Sequence, residues 1–292
     1  MSSESLNYAK LGGIHSVAAA VVFAVAYLPL LGYNIVRAFQ RPTYVLIALA
    51  LFCAIRVSAF AIRAALAASS TAGENEDLFI AEQILYNAGF FGLLYSAYTL
   101  VLDRDQMAGQ RDMPGLFGLA TRITRNRHLI RIALLVAVVI GINGAIDEIS
   151  GGTSSKVSTG ETLRRASTYV FLAVTILMAF RTFVLALEHG NSPPGYNTEI
   201  ELGNYTSPIS NPAFGARHGI FVLAAISILL LVRDIFYTVT LGSTNASMEA
   251  KATNETFFYP LVALPELLAV VLFAVPGLVP SRRELQMYSA KA

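Results

Sequence analysis

The sequence predicts an all-α polytopic membrane protein: a single domain over residues 1–292 folded as a seven-transmembrane-helix bundle, with its N-terminus outside and its C-terminus cytosolic. Three observations predict it. The chain is 55% hydrophobic and only 14% charged, whereas soluble domains carry about 25% charged residues. Seven apolar stretches each reach the roughly 20 residues that a helix needs to cross hydrocarbon. Lys and Arg are also distributed unequally between the two sets of connecting loops.

The stretches run over about 12–37, 43–68, 78–102, 129–149, 163–187, 217–241 and 257–280. They are continuous rather than alternating, and too long for barrel strands. Before the first, Met1–Leu11 is polar and has no basic region, so 12–37 reads as a span and not as a cleaved signal peptide. The second carries Cys53, the lone cysteine, which excludes an intrachain disulfide. The third follows an acidic loop with Glu74, Glu76 and Asp77, and leads into an Arg-rich one. The loop over about 188–216 contains Pro193, Pro194, Pro208 and Pro212, a pattern of irregular chain. Pro29 lies in the first span, and Pro260, Pro265 and Pro276 lie in or near the seventh. Proline removes a helix hydrogen bond, so the seventh span is expected to bend or break beside Glu266.

Orientation follows from loop charge. Eleven Lys and Arg flank one side (Arg37 and Arg41, the set from Arg104 to Arg131, then Arg282, Arg283 and Lys291) and five flank the other. The positive-inside rule places the first side in the cytosol. The sequons at Asn245 and Asn254 then fall outside, as expected glycosylation sites, whereas the sequon at Asn204 falls on the cytosolic side.

Ionisable groups within the spans are the most informative residues. Arg56 and Arg63 lie in the second, Glu82 in the third, Arg233 and Asp234 in the sixth and Glu266 in the seventh. Each costs about 2.5–3.5 kcal/mol on insertion scales unless paired or hydrated. With alternating span directions, all six fall in the outer half of the membrane or near its middle. Arg56 and Arg63 share a helix face, as do Glu82 and Tyr86, and Gln83 and Asn87. Asn143 and Tyr237 are polar groups at similar depth. Two readings are open. In one, the charges are interhelical ion pairs that set the packing. In the other, they line an outward-facing polar cavity that binds a ligand or lipid headgroup, or passes a proton. The candidate ligand-binding cluster is Arg56, Arg63, Glu82, Asn87, Arg233, Asp234, Tyr237 and Glu266.

Other chemistries lack their residues. A retinal pump needs a lysine in a span, and Lys10, Lys156, Lys251 and Lys291 all lie outside. Asp103-Arg104-Asp105 matches in part the acidic-Arg-Tyr motif of rhodopsin-like receptors, but the seventh span lacks Asn-Pro-x-x-Tyr, so the triplet reads as an interfacial charge cluster. His128, His189 and His218 could gather near Asp103, but no metal-ligand spacing supports a site. No nucleophile elbow, phosphate loop or dinucleotide fingerprint is present. No catalytic residue, metal or cofactor is expected, and nothing suggests nucleic acid as a partner.

From the sixth span onward, Arg233-Asp234-Ile235-Phe236-Tyr237 and Glu255-Thr256-Phe257-Phe258-Tyr259 stand out. With the seven-span layout they resemble a fungal family of seven-helix membrane proteins, the lipid-translocating exporter or aminocholesterol-resistance type. The layout also resembles related fungal seven-helix domains of unknown function. Tyr237 replaces the family's second Arg, and Val262 stands where it has an acidic residue, with Glu266 one turn on. The resemblance implies a plasma-membrane or endomembrane protein linked to lipid asymmetry or resistance to toxic amphiphiles. The functions left open are lipid or amphiphile translocation, a receptor-like sensor, and a membrane-embedded enzyme using Glu82, Asp234 or Glu266 as general acid. Membrane lipids and an amphiphilic small molecule are the expected partners.

Overall fold

A computed structural model describes residues 7–107, 126–150, 153–191, 214–241, 251–252 and 254–280. Asn204, Asn245, the prolines between the fifth and sixth spans, most of the Arg-rich third loop and the basic C-terminal residues lie outside the described residues. Among the described residues the regular structure is helical: α1 Tyr8–Leu11, α2 Val17–Gln40, α3 Tyr44–Ala68, α4 Ser70–Gly73, α5 Glu76–Met107, α6 Arg127–Ser150, α7 Ser154–Asn191, α8 Phe214–Leu241, α9 Glu255–Phe258, a π turn Tyr259–Ala263 and α10 Leu264–Phe273. Seven of these units are long and apolar enough to cross a membrane, the seventh being α9, the π turn and α10 together. The protein is an integral membrane protein.

Local chemistry sets the ends. The Ser16 and Thr43 side chains accept from the first-turn amides of α2 and α3. The first span starts at Val17, later than the apolar stretch, because the chain turns at Gly12–Gly13, where Gly13 has φ 66°. Glu255 then receives the free amides of His15 and Ser16 at 3.1 and 2.9 Å, so the start of the seventh span holds the start of the first. The Tyr8 hydroxyl donates to Glu76 at 3.0 Å. That bond holds its phenol above the ordinary value, with burial and the carboxylate's charge adding to the effect.

Consecutive spans pack side by side, and α10 returns to α2, closing a ring. α5 also touches α7 and α8, and it is the most buried span, while α2 is the least. Helices in hydrocarbon gain little from the hydrophobic effect and associate through close packing and polar contacts. The α6–α7 contact shows the packing: a Cβ on Gly160 would lie 2.6 Å from Glu148 N and 2.7 Å from Gly144 O. The proline-rich seventh span breaks as expected. Its π turn joins Leu264 N to Tyr259 O, and Pro265, without an amide, opens α10 just before Glu266.

Gly160→Val is expected to force α6 and α7 apart, at a cost of about 1–3 kcal/mol, seen as a lower unfolding temperature in detergent micelles. Gly32→Ala, whose new Cβ meets nothing within 4 Å, should leave that temperature unchanged or raise it.

Candidate functional site

The six embedded charges close on one another in two groups. In the larger, Arg56 on α3 meets Glu266 edge-on: Nε donates to Oε2 at 2.8 Å and Nη2 to Oε1 at 2.9 Å. Arg233 Nε on α8 donates to Oε1 at 3.1 Å, and the Tyr86 hydroxyl on α5 to Oε2 at 3.3 Å. Each carboxylate oxygen therefore accepts two bonds, which fills its capacity. Arg233 Nη1 donates to Asp234 Oδ1 at 2.7 Å, and the Thr175 hydroxyl on α7 donates to Asp234 Oδ2 at 2.5 Å. Five spans thus meet in one network whose ionic members are all buried. In the smaller group Arg63 Nη1 donates to Glu82 Oε1 at 2.9 Å, and Gln83 Nε2 donates to Glu82 Oε2 at 2.9 Å.

An aromatic face covers each arginine, although Arg63 keeps Nε and Nη2 buried without a hydrogen-bond partner among the described residues. Arg56 lies 3.9 Å from the Tyr86 ring centre, Arg233 lies 3.6 Å from Phe90, and Arg63 lies 4.1 Å from Phe258. Glu82, Tyr86 and Phe90 recur every fourth residue along α5, so one face supplies a carboxylate and two ring platforms. A planar guanidinium can stack and donate in its plane at once; lysine has neither the plane nor the fork.

Beside the larger group lies a cavity of about 30 Å³, lined by Asn87 of α5, Gly141 of α6, Arg164, Ser167, Thr168 and Phe171 of α7, and Arg233, Tyr237 and Leu241 of α8. That volume holds one or two waters. Arg233 thus belongs to both the charge network and the cavity wall. Of the expected cluster, Asn87 and Tyr237 reach the cavity, while Arg63 and Glu82 form their separate pair. Asn143 does not join: its side chain is exposed and donates to Val139 O of its own helix. Asn254 caps α9, accepting from Thr256 N at 3.0 Å. Among the described residues no three His, Cys, Asp or Glu side chains gather as metal ligands.

A second polar layer lies at the opposite end of the bundle. Arg104 Nη2 donates to Gly215 O, Gly277 O and Leu278 O at 3.0–3.2 Å, tying α5 to the start of α8 and to the turn after α10. Gly219 leaves room for it, since a Cβ there would stand 2.8 Å from Arg104 Nη2. Asp103 pairs with Arg127 of α6 at 2.6 Å, and Asp105 pairs with Arg181 of α7. The Asp-Arg-Asp triplet is a charge cluster, as expected, and also a four-way clasp. Sequence reasoning missed Arg181, although it is an arginine well inside the fifth stretch. It also missed Thr175 and the Arg164–Glu148 pair, because single hydroxyls and span-end charges have no distinctive spacing.

A family model described as a domain of unknown function, DUF7702, matches residues 13–199. The chain belongs to the DUF7702 family. No curated protein and no solved structure matches it. The DUF7702 match covers the first five spans and holds Arg56, Arg63, Glu82 and Asn87. Arg233, Asp234 and Glu266, which make up the larger group with Arg56, and the residues behind the exporter resemblance, lie beyond it.

Glu266→Gln leaves two buried arginines short of a counter-charge and is expected to cost about 3–5 kcal/mol, read as loss of monodisperse protein on size-exclusion chromatography. Glu82→Met should be damaging, and Arg63→Met with Glu82→Met together should recover much of the loss, since removing both members of a buried pair is tolerated better than removing one.

Proposed function

We propose that this DUF7702 protein is a receptor-like membrane sensor that binds an amphiphile in the α5–α8 cavity and transmits the event through its charge network. One observation carries the reading: Arg233 lines the cavity and also holds Glu266 at the broken start of α10. A ligand that draws on Arg233 changes the hold on the seventh span. The far ends of α8 and of the seventh span both rest on Arg104, so a shift of either span loads the clasp. On the expected topology the cavity end faces outside and the clasp faces the cytosol, the arrangement a sensor needs.

Translocation of a lipid or amphiphile is the other reading, and the exporter-like stretches from Arg233 and from Glu255 support it. A transporter must open a hydrated path for a headgroup, and the saturated Glu266 carboxylate would have to give up its partners to form one. The same saturation counts against an enzyme. Both oxygens of Glu82, Asp234 and Glu266 already accept hydrogen bonds from protein donors, which leaves none turned to a substrate.

The test uses full-length protein in nanodiscs and vesicles. Spin labels at Gln106→Cys and Arg217→Cys, on exposed sites flanking the clasp, should change separation by about 2 Å or more when dodecyl amphiphiles are added. Arg104→Gln should produce part of that change without ligand. Vesicles should scramble a fluorescent lipid no faster than protein-free ones. Rapid scrambling with an unchanged label distance would overturn the sensor reading in favour of translocation.

A further inference from the structure

We infer that the α5–α8 cavity is a site for an anionic oxygen headgroup, a carboxylate or phosphate, gripped by Arg164, Arg233 and Tyr237. This rests on the reading that the cavity binds a ligand and names the chemistry of that ligand.

The inference comes from counting donors. Arg233 spends Nε on Glu266 and Nη1 on Asp234, which leaves Nη2 with no protein partner among the described residues. Arg164 gives Nη1 to both oxygens of Glu148 at 2.9 Å, and its Nε is buried with no partner. The Tyr237 hydroxyl also has none among the described residues. All three residues line the cavity.

The polar groups around them spend their protons elsewhere and take none from these three donors. The Ser167 and Thr168 hydroxyls donate to Ala137 O and Arg164 O, and so turn only lone pairs to their surroundings. Asn87 spends its amide on Gln83 O, leaving its own oxygen. The wall therefore carries lone pairs on Ser167, Thr168 and Asn87 beside unspent donors on two guanidinium groups and a phenol, and the charge-assisted members are the donors. Arg164 Nε is buried, and a buried donor is costly to leave unmade; a group that meets it together with Arg233 Nη2 and the Tyr237 hydroxyl carries two or three oxygens in one plane or tetrahedron. Acids pair the arginines on their other edges, so recognition comes from oriented N–H and O–H groups and not from net charge.

Size limits the fit. About 30 Å³ admits one or two water-sized atoms, the oxygens of a headgroup and not an alkyl chain, so the rest of an amphiphile lies outside, along the helices. Gly141 keeps the α6 wall thin; a Cβ there would stand 2.7 Å from Ser167 Oγ. The same chemistry is offered by an acyl amphiphile and by a free anion, and the probes separate them.

Full-length protein in phosphatidylcholine nanodiscs is titrated with dodecanoate, dodecyl phosphate, dodecanol, acetate and inorganic phosphate, following the unfolding temperature and the heat of binding. Dodecanoate or dodecyl phosphate should bind saturably and raise the unfolding temperature, and dodecanol should not. Acetate or phosphate binding as tightly as its dodecyl counterpart would assign the site to a free anion. Tyr237→Phe, which removes a hydroxyl with no protein partner, should leave the unliganded protein as stable as before and weaken binding about tenfold. Arg164→Gln should weaken it further. Equal responses to dodecanoate and dodecanol, or undiminished binding by both variants, would overturn the inference and leave a cavity that holds water only. If dodecanoate binds as expected and the labels at the clasp do not move, the headgroup site stands and the sensor reading fails. If an uncharged amphiphile moves the labels, the sensor stands and the anion site fails.

Discussion

A carboxylate between two arginines, out of reach of water, is the contact on which this bundle depends. Glu266 is fully buried and accepts from α3, α5 and α8 at once. In a medium of low dielectric an unpaired ion is far more costly than a pair, and that cost gives these contacts their direction. Apolar packing among helices in lipid is permissive about rotation and register, because any apolar face suits an apolar solvent. A bidentate Arg–Glu contact is not permissive. It fixes how α3, α8 and α10 are turned about their own axes, and the aromatic rings of α5 set the planes in which the guanidinium groups lie.

The network also explains why the seventh span is built as it is. A continuous α-helix through Pro260 and Pro265 would lose hydrogen bonds and crowd the preceding carbonyls. The π turn that contains Pro260 takes up the mismatch by bonding one residue further along, and α10 restarts with Glu266 in its first turn. Local chain chemistry and the need to present one carboxylate to three neighbours arrive at the same geometry.

Much of this was legible in the sequence, because hydrocarbon imposes simple rules. Seven spans followed from composition and length, and the break beside Glu266 followed from proline. The six embedded charges were identifiable from their cost alone, and their balance hinted that they would pair. Which acid takes which base was not readable: Glu266 lies 210 residues from Arg56, and spacing along a chain carries no signal over that distance. The aromatic platforms were half visible, in the shared face of Glu82 and Tyr86, but Phe258 stacks on Arg63 from another span. The cavity was least legible, since Arg164 and Ser167 differ from ordinary span residues only in what the fold places opposite them. Arg104 shows a different limit: it donates to backbone carbonyls, and those leave no mark in sequence.

The separation of Glu266 from its partners has a consequence for biogenesis. Arg63 and Glu82 are 19 residues apart and can meet as soon as the third span follows the second into the membrane. Arg56 must wait for 210 residues of further synthesis, roughly 10–40 s at ribosomal speeds of about 5–20 residues per second. Until then the nascent bundle holds a cation without its acid, free to draw water, lipid phosphate or a chaperone to it. The seventh span is the one that neutralises it, so its arrival divides a bundle with an unanswered cation from one whose central charges are matched.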